Sequence, residues 1–110
     1  MKLENTIAQM RKGLLELSVL SIISKEEMYP SDIINKLKEQ EMIVVEGTLY
    51  PMLTRLKNAG LLEYIWKESS SGPPRKYYTI TDEGKSIRDS LISAWKQLSQ
   101  AVNGSIEEIK

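Results

Sequence analysis

Apolar residues recur at steps of three and four from about Asn5 to Ser24, with Met10, Leu14, Leu17, Leu20 and Ile23 on one face. Val19 and Ile22 widen that stripe, so the period predicts a helix buried on two sides. Lys25-Glu26-Glu27-Met28-Tyr29 interrupts it with charge. Pro30 then opens a second helix, because the N–H that proline lacks has no partner in a first turn. Ile33, Ile34 and Leu37 give this helix a short apolar face. In Met42-Ile43-Val44-Val45 the helical period disappears, and the β-branched run predicts an extended connector.

A third helix is expected to begin near Thr48, with Thr48 as its N-cap. Pro51 fixes that start, since a proline deeper in a helix costs roughly 3 kcal/mol. Leu49, Met52, Leu53 and Leu56 share the inner face, while Tyr50, Thr54, Arg55, Lys57 and Asn58 occupy the rest. Gly60 ends the helix. Alternation then takes over: Leu62 to Lys67 reads as a strand with Leu62, Tyr64 and Trp66 on one side, Trp66 packing on the core. Glu68 to Pro74 is a polar loop rich in turn residues, and Lys76 to Ile80 returns as a second strand. Thr81 caps a fourth helix whose first acids, Asp82 and Glu83, suit the positive end of its dipole. Ile87, Leu91, Ala94, Trp95, Leu98 and Val102 follow at nearly heptad steps. Beyond Gly104, Ile106 and Ile109 fit either a continued helix or a frayed end.

Helix, helix, helix, hairpin, helix describes a mainly α (α+β) fold, a winged helix-turn-helix with a two-stranded wing and a C-terminal dimerisation helix. Residues 1–81 form the expected DNA-binding domain, the N-terminal helix also contributing to a dimer, and residues 82–110 the dimerisation helix. The seam on the last helix has nothing left to bury against in so small a domain, and a second copy of the chain is the expected partner.

Composition narrows the chemistry. The 110 residues are 41% hydrophobic and 27% charged, as in a folded single domain. There is no cysteine and no histidine. Disulfides, thiolate metal sites and cysteine nucleophiles are excluded, and so are the commonest general base and metal ligand. No enzyme, metal or cofactor is expected. No run is apolar enough to span a bilayer and no signal peptide is visible, so a cytoplasmic protein is expected.

Formal net charge is zero, but its distribution is uneven. Between Thr48 and Thr79, Arg55, Lys57, Lys67, Arg75 and Lys76 face only Glu63 and Glu68, a local surplus of three positive charges. The third helix has no acid from Thr48 to Leu62. It presents hydroxyls, a tyrosine and cations, the groups that bond phosphates and base edges. The blander alternative is a core helix with a solvated outer face. Arg75 and Lys76, just past the turn, would lie where a wing meets phosphates.

Gly47-Thr48-Leu49-Tyr50-Pro51 with Leu53 and Arg55-Leu56, then Gly60-Leu61-Leu62, and the run from Arg75-Lys76-Tyr77-Tyr78 to Thr81-Asp82-Glu83-Gly84, resemble the PadR family of bacterial transcriptional regulators. The resemblance covers Met10 to about Val102. It implies a dimeric repressor whose third helix enters the major groove of double-stranded DNA. Arg55 and Thr54 are then expected at base edges, and Thr48, Tyr50, Lys57, Arg75 and Lys76 mostly at phosphates. The wing, Ser71-Gly72-Pro73-Pro74-Arg75, departs from the glycine pair or Gly-Arg-Pro commoner in the family.

The short last helix resembles compact members that respond to multiple drugs. Some of these sandwich flat aromatic compounds with a tryptophan on the dimerisation helix, where Trp95 falls. The resemblance thus implies a planar aromatic effector, with Met10, Gly13, Leu14 and Leu17 of the first helix and Leu91, Ile92, Trp95 and Leu98 of the last lining the slot. Simple packing of Trp95 in the seam is the plainer account. A winged-helix module that binds proteins rather than DNA is the alternative function.

Overall fold

The computed structural model describes residues 1–108; Ile109, the last apolar residue of the tail, lies outside them. The elements run α1 (Leu3–Ile23), α2 (Pro30–Glu39), α3 (Glu46–Asn58), β1 (Leu62–Ser69), β2 (Gly72–Ile80) and α4 (Asp82–Glu107). The core is built where α1, α2 and α3 meet the base of the hairpin. Val19, Leu20 and Ile23 pack with Ile33 and Leu37, with Leu49, Met52, Leu53 and Leu56, and with Leu62 and Tyr78.

On α1 the buried face is rotated from the expected one. Leu15, Val19, Leu20 and Ile23 are buried, Leu14 and Leu17 only half-buried, and Met10 is 69% exposed. None of the apolar residues of α1 before Leu14 is buried, so no core sorts this end of the helix.

α2 starts at Pro30 as the sequence requires, with Tyr29 extended at the cap position. The connector after it is neither helix nor strand from Met42 to Val45, extended at Val45, and it buries Val44 while exposing Ile43 and Val45. α3 begins at Glu46, earlier than expected. Val45 occupies the cap position, and Thr48, now inside the helix, makes no capping bond. Pro51 therefore lies within α3. The N–H it lacks would have bonded the carbonyl of Gly47, which sits on the exposed side of the helix where water can take its place. Glu46 in the first turn favours this earlier start by placing an acid at the positive dipole end. At the other end Gly60 takes a left-handed conformation, φ 81°, and closes the helix.

The wing is longer and tighter than a loop from Glu68 to Pro74 would make it. Only Ser70 and Ser71 form the turn, and Gly72, Pro73 and Pro74 belong to β2. The hairpin is antiparallel with Tyr64 opposite Tyr78, Trp66 opposite Lys76 and Lys67 opposite Arg75; its register slips between Lys67 and Ser69. Prolines are tolerated there because the ladder is already irregular and the hairpin tip has open edges. On β2's outer edge, Met28 exchanges backbone hydrogen bonds with Tyr78 at 3.1 and 2.7 Å. This isolated bridge fixes the start of α2 against the wing.

Thr81 caps α4 as expected. Its hydroxyl accepts from the Gly84 N–H at 3.0 Å and donates to the Gly60 carbonyl at 2.7 Å. α4 then continues through Gly104 and Ile106 as helix. Among the described residues no helix is long and apolar enough to cross a membrane.

Candidate nucleic-acid interface

α3 divides the seven expected DNA-contacting residues between two sides. Tyr50 and Thr54 face the wing, where they meet Arg75 and Lys76 around a notch of about 430 Å³. Lys57 leans the same way, its Nζ 5.9 Å from the Tyr64 ring. Thr48 and Arg55 lie on the other side, bordering a cavity of about 850 Å³ between α1, the connector and α3. Thr54 and Arg55, both expected at base edges, thus leave the helix in different directions.

The notch contains residues that the sequence did not single out. Tyr29, Pro30 and Ser31 bring the start of α2 to its wall, and Trp66 closes the wing side. The missed signal was Pro30: a helix start leaves open N–H groups, and such an end favours anions. Trp66 does not pack on the core; it is 61% exposed. It lies two residues beyond Tyr64, on the same face of β1.

Arg75 and Lys76 are consecutive on β2 and therefore leave from opposite faces. The Arg75 guanidinium lies 4.6 Å from the Tyr29 ring centroid, while Lys76 Nζ sits 4.5 Å from Tyr64 and 5.3 Å from Trp66. They reach the notch from two sides rather than as one pair.

Two of the five segment cations are matched by acids elsewhere. Arg55 donates to Glu16 of α1, and Lys67 to Glu27. The Arg55 and Glu16 side chains are 60% and 36% exposed. An ion pair so exposed is worth about 0–1 kcal/mol, so a phosphate or base edge can compete for Arg55. Lys57, Arg75 and Lys76 have no acid partner among the described residues. Beneath the notch, burial pushes the Tyr78 phenol above its usual pKa of 10.0, and the neighbouring Tyr64 and Tyr50 add to the effect.

The expected ligand residues lie on α1 and α4, which pack together. Met10, Trp95 and Leu98 are exposed, Trp95 at 43%; Leu14, Leu17, Leu91 and Ile92 are half-buried. Gly13 alone of this set lines the cavity beside α3. Neither the notch nor that cavity includes Trp95. Ile87, Trp95, Leu98, Val102 and Ile106 leave an uncovered apolar stripe along α4, and Leu3, Ile7 and Met10 another on α1.

Known proteins share this fold. The family model described as "Transcriptional regulator PadR-like family" matches residues 19–90. The chain belongs to the PadR-like family of transcriptional regulators. A PadR-like transcription factor from Bacteroides fragilis is 56% identical, with a TM-score of 0.77 over 91% of this chain and 97% of the other. A PadR-like transcriptional regulator from Bacillus cereus is 41% identical, with a TM-score of 0.79 over 89% and 96%. A PadR family transcriptional regulator from Eggerthella lenta is 32% identical, with a TM-score of 0.87 over 94% and 91%. PadR-like proteins regulate transcription through DNA and are not enzymes. The winged helix-turn-helix fold is the one their structures share with this chain.

Proposed function

We propose that this PadR-like protein is a sequence-specific repressor that acts in the cytoplasm as a homodimer on an inverted-repeat operator. Residues 1–81 grip the DNA and residues 82–110, helped by α1, join the two copies. The observation that carries the DNA contact is the convergence of Tyr50, Thr54, Arg75 and Lys76 on one notch beside the start of α2. Thr54 and Arg55 reach base edges once Arg55 exchanges Glu16 for DNA. Thr48, Tyr50, Lys57, Arg75 and Lys76 fix register on phosphates. The uncovered stripe on α4 supports the dimer, since apolar surface of that extent marks an interface. Half-sites then lie about one helical turn apart, roughly 34–36 Å. Footprinting on the duplex upstream of the protein's own coding sequence tests this. Two protected patches one turn apart are expected. A chain that leaves that duplex unprotected in dilute salt, yet captures a protein partner through the α3 face, would be an interaction module instead.

A second element rests on Trp95. Its ring is 43% exposed midway along the α4 stripe, so two copies of it across a two-fold axis would frame a slot for a planar aromatic effector. Titration of a Trp66→Phe variant with flat dyes isolates the Trp95 emission. Saturable quenching is expected, and unchanged emission across the panel removes the effector from the account.

A further inference from the structure

Lys57, Arg75 and Lys76, which have no acid partner among the described residues, each lie against an aromatic ring. Lys76 lies 4.5 Å from Tyr64 and 5.3 Å from Trp66, directly opposite Trp66 in the hairpin register. The Tyr64 ring also receives Lys57 from α3 at 5.9 Å. Tyr64 and Trp66 meet edge to face at 6.2 Å, and Tyr64 meets the buried Tyr78 at 5.5 Å. A continuous aromatic file thus runs from the core to the exposed Trp66. On the opposite face Tyr29 holds Arg75 at 4.6 Å and is itself held edge-on by Tyr77 at 5.3 Å.

We propose that Trp66 and Tyr64 are positioning residues for DNA binding, holding the Lys76 ammonium over the notch so that little side-chain freedom is lost when a phosphate arrives. This rests on the DNA-binding function proposed above. Their effect is preorganisation. A free lysine side chain samples many rotamers, and a binding site that has already restricted it forfeits less entropy on association. An aromatic face attracts an ammonium without neutralising it, so the full positive charge stays available to the anion. An acid in the same place, as Glu27 is for Lys67, would hold the lysine equally well but cancel its charge. Trp66 has no packing reason to be so large: it is 61% exposed and stands outside the core.

A double-mutant cycle on the full-length chain tests the role, with the duplex from the protein's own upstream region as probe. Trp66→Leu is expected to weaken binding about three-fold, the scale of one exposed cation–π contact, while the slope of log affinity against log salt stays that of wild type because no charge is lost. Trp66→Phe should restore most of the affinity. In a Lys76→Ala background, Trp66→Leu should cost nothing further. An equal loss in both backgrounds would mean that Trp66 touches DNA by itself, and no loss in either would mean that Lys76 needs no seat; either result overturns the positioning role. A wild-type chain that does not bind the duplex overturns the DNA-binding function and this role together, whereas binding with additive losses overturns this role alone.

Discussion

Gly84 of α4 lies so close to Leu61 that a β-carbon at position 84 would overlap the Leu61 carbonyl oxygen, and it would stand 2.7 Å from Ile80 Cγ1. The first turn of the last helix is therefore pressed onto the junction between α3 and the wing. Gly84→Ala should destabilise the fold by about 1–3 kcal/mol, the range for overpacking a tight site. Urea denaturation followed by circular dichroism measures this. A midpoint equal to wild type would show that α4 has room to lift away.

Thr81 joins the same elements by hydrogen bonds, to the Gly84 N–H and the Gly60 carbonyl. Thr81→Ala should cost about 1 kcal/mol, the usual worth of an N-cap, and Thr81→Ser should cost much less. Thermal melts of the two variants side by side give the answer; equal losses would assign the effect to the threonine methyl instead.

Tyr78 contributes to the response to alkali. Its phenol has a higher pKa folded than unfolded, where 10.0 applies. The folded state thus holds a proton that the unfolded state gives up first. This contribution is complete below pH 10, and it is lost as pH rises from there through the folded value. Stability followed between pH 8 and 11 should fall above about pH 10 in wild type and fall less in Tyr78→Phe. Parallel curves for the two proteins would refute this assignment.

The apolar stripe on α4 makes a prediction about assembly. Leu98 and Val102 are 59% and 54% exposed in the single chain, so charge there costs its fold little. Leu98→Glu with Val102→Glu should yield a folded monomer by sedimentation equilibrium, and DNA affinity should fall with it. A dimer of undiminished strength would place the seam on some other surface.

The order of elements was legible because each long apolar face had one covering surface: Ile33 and Leu37 on α2, and Leu49, Met52, Leu53 and Leu56 on α3, are the residues the core buries. Where a helix runs beyond the core, periodicity could not assign the face, and the exposed Met10 shows this. Local chemistry misled at two places. Pro51 argued for a late start to α3, but the carbonyl it orphans is solvated. The prolines of the wing argued for a loop, but an irregular hairpin tip admits them. Of the interface, the cations and hydroxyls were visible in the sequence. Their division between two sides of α3 follows from the helical step alone, which puts Tyr50 and Thr54 on one side and Thr48 and Arg55 on the other, and it was overlooked. The α2 wall of the notch was not legible, because it depends on Met28 pairing with Tyr78, a contact between residues fifty positions apart that brings Tyr29 and Ser31 to the wing.

If α3 and the wing grip the DNA backbone together, the salt dependence of binding carries the signature of both. Wild type and the Arg75→Ala, Lys76→Ala double variant are titrated onto the same operator duplex over a range of salt. The slope should become shallower by about one unit for each phosphate contact removed, with affinity falling most at low salt. An unchanged slope would show that the wing cations do not touch the backbone and would contradict the account.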